Sequence, residues 1–287
     1  MSHQHIVVLY HGKCPDGFGG AYAAWKKFGD TAEYIPVKHG DSIPEKMEGR
    51  QIFLVDFCYP KEDMERLREI AESVTVLDHH GGVRDVVTTF PGIFDSDRSG
   101  STIAWGYFNP DIPTPRLFTH LEDGDLYRYS FPETRDIFSF LLTYPYEFEK
   151  WNELVQIFEN QPTRDALLAK AKIYSEYFFQ LADMCVAGAK IVSFEGYECY
   201  FANSHPATTM KSYVGNQLVE KLPPIALVVS AHPDGFGVSI RGNGSVDVSE
   251  IARKYGGNGH PNASGFFIPA SGPLPWQEVE KHENPRD

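Results

Sequence analysis

Apolar and polar stretches alternate along the first part of the chain in a strand-and-helix rhythm. His5 to Tyr10 (HIVVLY) is a short β-branched apolar run, of the kind found in parallel strands buried on both faces. Ala21 to Phe28 reads as a helix, and Glu33 to Val37 and Gln51 to Val55 read as strands. Lys61 to Ser73 places Met64, Leu67, Ile70 and Ala71 at helical spacing and leads into the strand Val74 to Leu77. Ile103 to Phe108 and Pro115 to Leu121 predict further helices, and the aromatic and charged stretch Tyr144 to Tyr177 predicts helices that join two domains. Beyond it, Lys190 to Phe194 and Tyr197 to Phe201 form a hairpin around Glu195-Gly196. Met210 to Lys221 and Val248 to Tyr255 read as helices, Ile225 to Ala231 and Gly237 to Arg241 as strands. The expected fold is α/β: a mostly parallel sheet over residues 1–145, a helical linker over 146–188, and a smaller α/β domain with a mixed sheet over 189–287.

Length and composition narrow the class. The chain of 287 residues is 42% hydrophobic and 14% aromatic, enough for a folded core. Its formal charge of −13 argues against a protein that coats long nucleic acid, which needs a broad basic surface. It leaves room for a small anionic substrate held at a local cation. Cys14, Cys58, Cys185 and Cys199 are scattered, with neither paired nor framework spacing, which fits a reducing cytosol. The start, Met1-Ser2-His3-Gln4-His5, has no signal-peptide pattern, and no apolar run is long enough to span a membrane.

The chemistry gathers at the ends of the strands. The strand at Val74 runs into Asp78-His79-His80-Gly81-Gly82, and carboxylate with imidazole suits Mn, Fe or Zn. The first strand ends in His11-Gly12-Lys13-Cys14-Pro15-Asp16-Gly17, and the third delivers Asp56. Neighbouring ends of parallel strands lie on one edge of a sheet, so these three sets of groups are expected to converge. Cys14 reads either as a ligand or as a small packed residue, and Asp16 either as a ligand or as a helix cap. Glu122-Asp123-Gly124-Asp125 puts carboxylates at the negative end of a helix, where a cation would relieve them; Asp123 and also Asp125 are candidates. Gly256 to Gly265, with His260 among its glycines, reads as a loop whose backbone N–H groups close on an anion.

In this order the motifs resemble the DHH phosphoesterase superfamily over nearly the whole chain. Asp16-Gly17 is similar to the end of its first motif, Asp56 to its second, Asp78-His79-His80 to its third and Asp123 to its fourth. Gly257-Asn258-Gly259-His260-Pro261-Asn262-Ala263-Ser264-Gly265 is similar to the glycine-rich signature of the DHH-associated C-terminal domain, within the oligoribonuclease and nucleotide phosphodiesterase subgroup. The resemblance implies a phosphoesterase dependent on one or two Mn²⁺ ions, with Zn²⁺, Fe²⁺ or Co²⁺ as alternatives. It implies metal ligation by Asp16, Asp56, His79 and Asp123, and by His11, Asp56 and Asp78, with Asp56 shared. Asp78 and His80 would act at the reacting phosphate, and Arg241, Gly257, Gly259 and His260, with His80, would bind substrate. The implied substrates are short oligonucleotides, dinucleotides or bisphosphonucleosides. A non-catalytic nucleotide-binding protein and a pyrophosphatase or polyphosphatase are the alternatives. One departure stands out: the first motif usually reads Asp-x-Asp-Gly, whereas here Cys14 occupies the first acidic position.

Overall fold

The computed structural model describes residues 5–126, 128–205 and 208–279. The chain divides into two compact units, Met1–Ser175 and Glu176–Asp287. The reading of Met1 to Gln4 lies outside the described residues.

The first unit holds β1 (Ile6–His11), α1 (Pro15–Phe28), β2 (Ala32–Val37), β3 (Gln51–Val55), α2 (Lys61–Ile70), β4 (Ser73–Asp78), α3 (Arg84–Val87) and β5 (Gly92–Phe94). It continues with α4 (Gly100–Phe108), α5 (Arg116–Asp125), α6 (Thr134–Leu141) and α7 (Phe148–Glu159), and α8 (Gln161–Ala187) runs on through the division between the units. The five strands are parallel in the order β2-β1-β3-β4-β5. Alternate residues of β1 feed different cores: Val8 and Tyr10 pack with α1, α4, α5 and α7, while Val7 and Leu9 pack with α2 and Met47. Burial on both faces explains why β1 is apolar throughout instead of alternating. Truncating any one of these, such as Leu9, to alanine would cost about 2–5 kcal/mol.

Helix α1 begins six residues before the expected Ala21, because Pro15 suits the first helical position and Asp16 the first turn. The glycines expected in a turn lie inside this helix instead. A Cβ on Gly17 would stand 2.3 Å from the His11 carbonyl oxygen, so the helix can lie against β1 only with glycine there. Close packing here outweighs the poor helix propensity of glycine.

The second unit holds β6 (Lys190–Phe194), β7 (Tyr197–Asn203), α9 (Thr208–Lys221), β8 (Ile225–His232), β9 (Gly235–Gly242), α10 (Val248–Lys254), β10 (Asn258–His260), β11 (Ala263–Pro269) and β12 (Gln277–Glu278). Its sheet runs β10-β11-β9-β8-β7-β6-β12, with β7 and β8 parallel and the other pairs antiparallel, so the expected α/β architecture with a second, mixed sheet is present. Val214 and Leu218 of α9 cover one face, and Ile251 and Ala252 of α10 the other. The glycine-rich stretch, expected as a loop, is the hairpin β10–β11. Gly259 has φ 150° and its Cβ would lie 2.4 Å from Ser264 Cα, so the glycine permits a backbone approach that any side chain would block.

Candidate metal centre

The order β1-β3-β4 brings three strand ends side by side, and each supplies donors. His11 is the last residue of β1, Asp56 follows β3, and Asp78 closes β4. Asp56 is buried and lies at the centre: its Oδ2 is 3.3 Å from His11 Nδ1, and its Oδ1 is 3.1 Å from His79 Nε2. Its backbone is left-handed, with φ 56°, a conformation that costs a non-glycine residue on the order of 1–3 kcal/mol and concentrates at functional sites. Helix α4 presses on it from above, since a Cβ on Gly100 would stand 2.5 Å from Asp56 Cβ.

Asp78 Oδ1 accepts bonds from the backbone N–H of His79 (2.7 Å) and His80 (3.1 Å) and from His80 Nδ1 (2.7 Å). The Asp78 carboxylate therefore fixes the His80 ring with its proton on Nδ1 and leaves Nε2 for another partner. Asp16, buried in the first turn of α1, is held through Oδ1 by the backbone N–H (3.2 Å) and hydroxyl (2.5 Å) of Ser101. Asp125 Oδ2 lies 3.4 Å from His79 Nε2.

The two candidate acids at the end of α5 separate. Asp123 does not face the cluster: its Oδ1 accepts from Ser130 N (2.8 Å), and its Oδ2 from Phe131 N (3.2 Å) and Thr134 Oγ1 (2.6 Å). It ties down the segment after α5, and these bonds lower its pKa although burial opposes them. Residues two apart on a helix point to opposite sides. Asp125, the last residue of α5, therefore takes the place beside His79.

Three groups of donors lie within 4.8 Å of one another: Asp56, Asp78, His79 and His80; Asp16, His79 and Asp125; and His11, Cys14 and Asp56. Burial and the charge of Asp56 push Asp16 up to about 6, against the hydrogen bonds of Ser101 and Ser99. Burial together with the charges of Asp16 and Asp56 pushes Asp125 up to about 8. Burial would raise Asp56 as well, but hydrogen bonds from His11 and His79 and the charge of His80 hold it down at about 2. Burial opposes protonation of His80, yet its bond to Asp78 and the nearby acids push it up to about 9. Asp16 Oδ2 and Asp78 Oδ2 are buried and have no hydrogen-bond partner among the described residues. Crowded acids that repel one another, with bare oxygens turned inward and imidazoles interleaved, fit a divalent cation.

The sequence reading missed the seat of Asp16. Ser99 and Ser101 share a hydrogen bond of 3.0 Å and place the N-terminus of α4 on the Asp16 carboxylate. The signal was Ser99-Gly100-Ser101-Thr102 ahead of an apolar helix. Arg241, Gly257, Gly259 and His260 all belong to the second unit. Arg241 pairs with Ala263, which pairs with His260, so these three stand in one row across β9, β11 and β10 and share a sheet face. Arg241 is buried and donates to Ser212 Oγ (2.9 Å) and to the Ile240 carbonyl (3.1 Å).

No family model matches the chain. It is 29% identical to an uncharacterized protein, R106, of Acanthamoeba polyphaga mimivirus over 305 residues, covering 96% of this chain and 70% of that protein. Among solved structures it is similar to the DHH domain of a protein described as a member of a family of ribosomal proteins (TM-score 0.60, 14% identity, 92% of this chain and 83% of the other). It is also similar to the pGpG-specific phosphodiesterase PggH of Vibrio cholerae (TM-score 0.51, 14% identity, 92% and 93%). A third likeness is to Thermus thermophilus RecJ in complex with Mn²⁺ (TM-score 0.51, 14% identity), over 91% of this chain and 49% of that one. With a parallel sheet whose ends gather Asp16, Asp56 and Asp78-His79-His80, followed by a separate mixed sheet, the chain has the fold of the DHH-domain proteins.

Proposed function

We propose that this chain is a metal-dependent phosphoesterase of the DHH superfamily that hydrolyses phosphodiester or phosphomonoester bonds of short nucleotides. The observation that carries the reading is the cluster itself: Asp56, Asp78 and three histidines at adjoining strand ends, joined by Asp16 of α1 and Asp125 of α5, with two buried carboxylate oxygens left without partners among the described residues. Asp16, Asp56, His79 and Asp125 would hold a divalent cation, and Mn²⁺ is the ion named for the RecJ complex. When bound, such an ion polarises the phosphoryl group and lowers the pKa of water.

The residues of the chain then have separable tasks. Asp56 faces His11 with one oxygen and His79 with the other, so it orients both rings. Asp78 keeps the His80 imidazole oriented and protonated, and the ring is about a third exposed, so its Nε2–H is available to a phosphoryl oxygen. A hydrogen bond from a charged donor is strongest where negative charge develops. Ser101 prevents Asp16 from turning away. In the second unit the row Arg241–Ala263–His260 places a guanidinium and an imidazole on one sheet face, which supports a substrate-binding role for Arg241 and His260 together with the hairpin glycines Gly257 and Gly259. The similarity to a pGpG-specific phosphodiesterase supports a dinucleotide as the first substrate to try.

The test is a substrate panel separated by chromatography. Purified protein with Mn²⁺ is expected to release mononucleotides from di- to tetranucleotides, and activity is expected to vanish with EDTA. Intact substrates across Mn²⁺, Mg²⁺, Co²⁺ and Zn²⁺ would refute the enzyme reading, and calorimetric binding of a dinucleotide without turnover would replace it with a regulatory one. Equal rates on pyrophosphate or polyphosphate would show that no base is recognised.

A further inference from the structure

The cluster is chemically lopsided. On one side of Asp56, the group Asp16, His79 and Asp125 offers two carboxylates and one imidazole. On the other, the group His11, Cys14 and Asp56 offers an imidazole, a thiol and a carboxylate. Cys14 reaches this position through the turn after β1. Lys13 is left-handed, with φ 61°, and Cys14 is extended at the cap of α1. Its carbonyl accepts from Phe18 N at 3.0 Å, and its sulfur lies within 4.8 Å of the His11 and Asp56 donor atoms. Cys14 is half-buried, and Cys58 and Cys199 are buried in the cores, so Cys14 is the cysteine that shares a site with histidine and carboxylate.

Donors around a tetrahedral Zn²⁺ lie at about 2.0–2.3 Å from the ion and therefore roughly 3.5 Å from one another. His11 Nδ1 and Asp56 Oδ2, 3.3 Å apart, already meet that spacing, and the three donors together lie within 4.8 Å. One nitrogen, one sulfur and one oxygen make a borderline-soft set that selects Zn²⁺, Fe²⁺ or Co²⁺ over Mn²⁺, while the oxygen-rich side does not discriminate against Mn²⁺.

We propose that the two sides of Asp56 form two unlike metal sites, and that His11, Cys14 and Asp56 make a thiolate site for Zn²⁺, Fe²⁺ or Co²⁺ which leaves a coordination position open. This rests on the metal-centre reading above. Binding there forms a metal–sulfur bond, and the Cys14 proton leaves to solvent.

The probe is the metal alone, on reduced protein kept under nitrogen. Co²⁺ added to the metal-free protein is expected to give a thiolate-to-cobalt charge-transfer band that is absent from Cys14→Ser and Cys14→Asp. Zn²⁺ is expected to slow alkylation of Cys14, followed by peptide mass spectrometry, by about tenfold or more, because coordination takes up the nucleophilic lone pair. The alkylation measurement uses the unaltered chain, so it does not depend on how a variant folds. Loaded from an equal mixture of Zn²⁺ and Mn²⁺, the protein is expected to hold both ions, and Cys14→Asp to exchange Zn²⁺ for Mn²⁺. If Mn²⁺ binds but cobalt gives no thiolate band and Zn²⁺ leaves Cys14 alkylation unchanged, the thiolate site is overturned and the oxygen-rich site stands. If no divalent ion binds at all, both readings fall.

Discussion

Asp123 and Asp125 are separated by one residue, and replacing each should have opposite consequences. Asp123→Ala removes an ionised acceptor from Ser130 N, Phe131 N and Thr134 Oγ1. Hydrogen bonds to a charged group contribute about 1.5–3 kcal/mol each. Ser130 and Phe131 are exposed, so their N–H groups recover bonds from water, while buried Thr134 keeps, among the described residues, His120 Nδ1 at 3.1 Å. The net loss should be on the order of 2–3 kcal/mol, and Tm should fall by roughly 5–10 °C for a unit of this size. The Mn²⁺ response should be unchanged. Asp125→Asn removes a carboxyl that burial and the charges of Asp16 and Asp56 push up to about 8. Folding the metal-free chain at pH 7 forces that group to take up a proton or to repel its neighbours, at an upper limit of about 4 kcal/mol. The asparagine avoids this, so the metal-free variant should melt higher than the unaltered protein. Its gain on adding Mn²⁺, which for a ligand at a hundred times its Kd is about 2.7 kcal/mol, should nearly vanish. Thermal unfolding followed by circular dichroism, in EDTA and in excess Mn²⁺, measures both. If Asp123→Ala abolishes the Mn²⁺ shift and Asp125→Asn keeps it, the assignment of these two acids is wrong.

Further expectations follow from the same geometry. Metal-free protein should lose stability as pH rises from about 4 to 9: folded Asp16 and Asp125 hold protons up to about 6 and 8, and the stability from His80, complete below its ordinary value, is lost through about 9. Asp56, held at about 2, opposes this only in acid; a Tm in EDTA that rises across that range would contradict the charge crowding described. Gly100→Ala should weaken Mn²⁺ binding by about tenfold or more while leaving every donor in the chain, since the new methyl would stand 2.5 Å from Asp56 Cβ and 2.8 Å from its Oδ1. Unchanged metal content in that variant would show that α4 yields instead. His260→Ala should keep its full metal content but lose about tenfold to a hundredfold in kcat/KM, the equivalent of about 1.5–3 kcal/mol for one charge-assisted bond; loss of metal would remove His260 from the substrate side.

Much of the first unit was legible because its signals are local. The apolar runs at β1, β3 and β4 each end in a polar residue with ligand chemistry, and parallel pairing then places those ends together. The second sheet was legible as mixed from the hairpin at Glu195-Gly196. Three features were not legible, each because tertiary contacts decided it. The glycines of α1 read as a turn since propensity carries no information on how closely a helix approaches a strand. The hairpin β10–β11 read as a loop because its glycines serve backbone pairing as well as turning. The choice between Asp123 and Asp125 depended on Thr134, which the chain reaches only after α5 has ended.

The donors of the oxygen-rich group run from Asp16 through Asp125, and therefore from the first turn of α1 to the last residue of α5. A cation joined to both ends of that span closes a loop in the unfolded chain much as a disulfide does. For a loop of ~100 residues that closure is worth about 4.7 kcal/mol in the chain-entropy account. Removing the ion should then loosen α1 and α5 together, and hydrogen exchange in EDTA should show amides of both helices losing protection in step, although neither helix has lost a contact of its own.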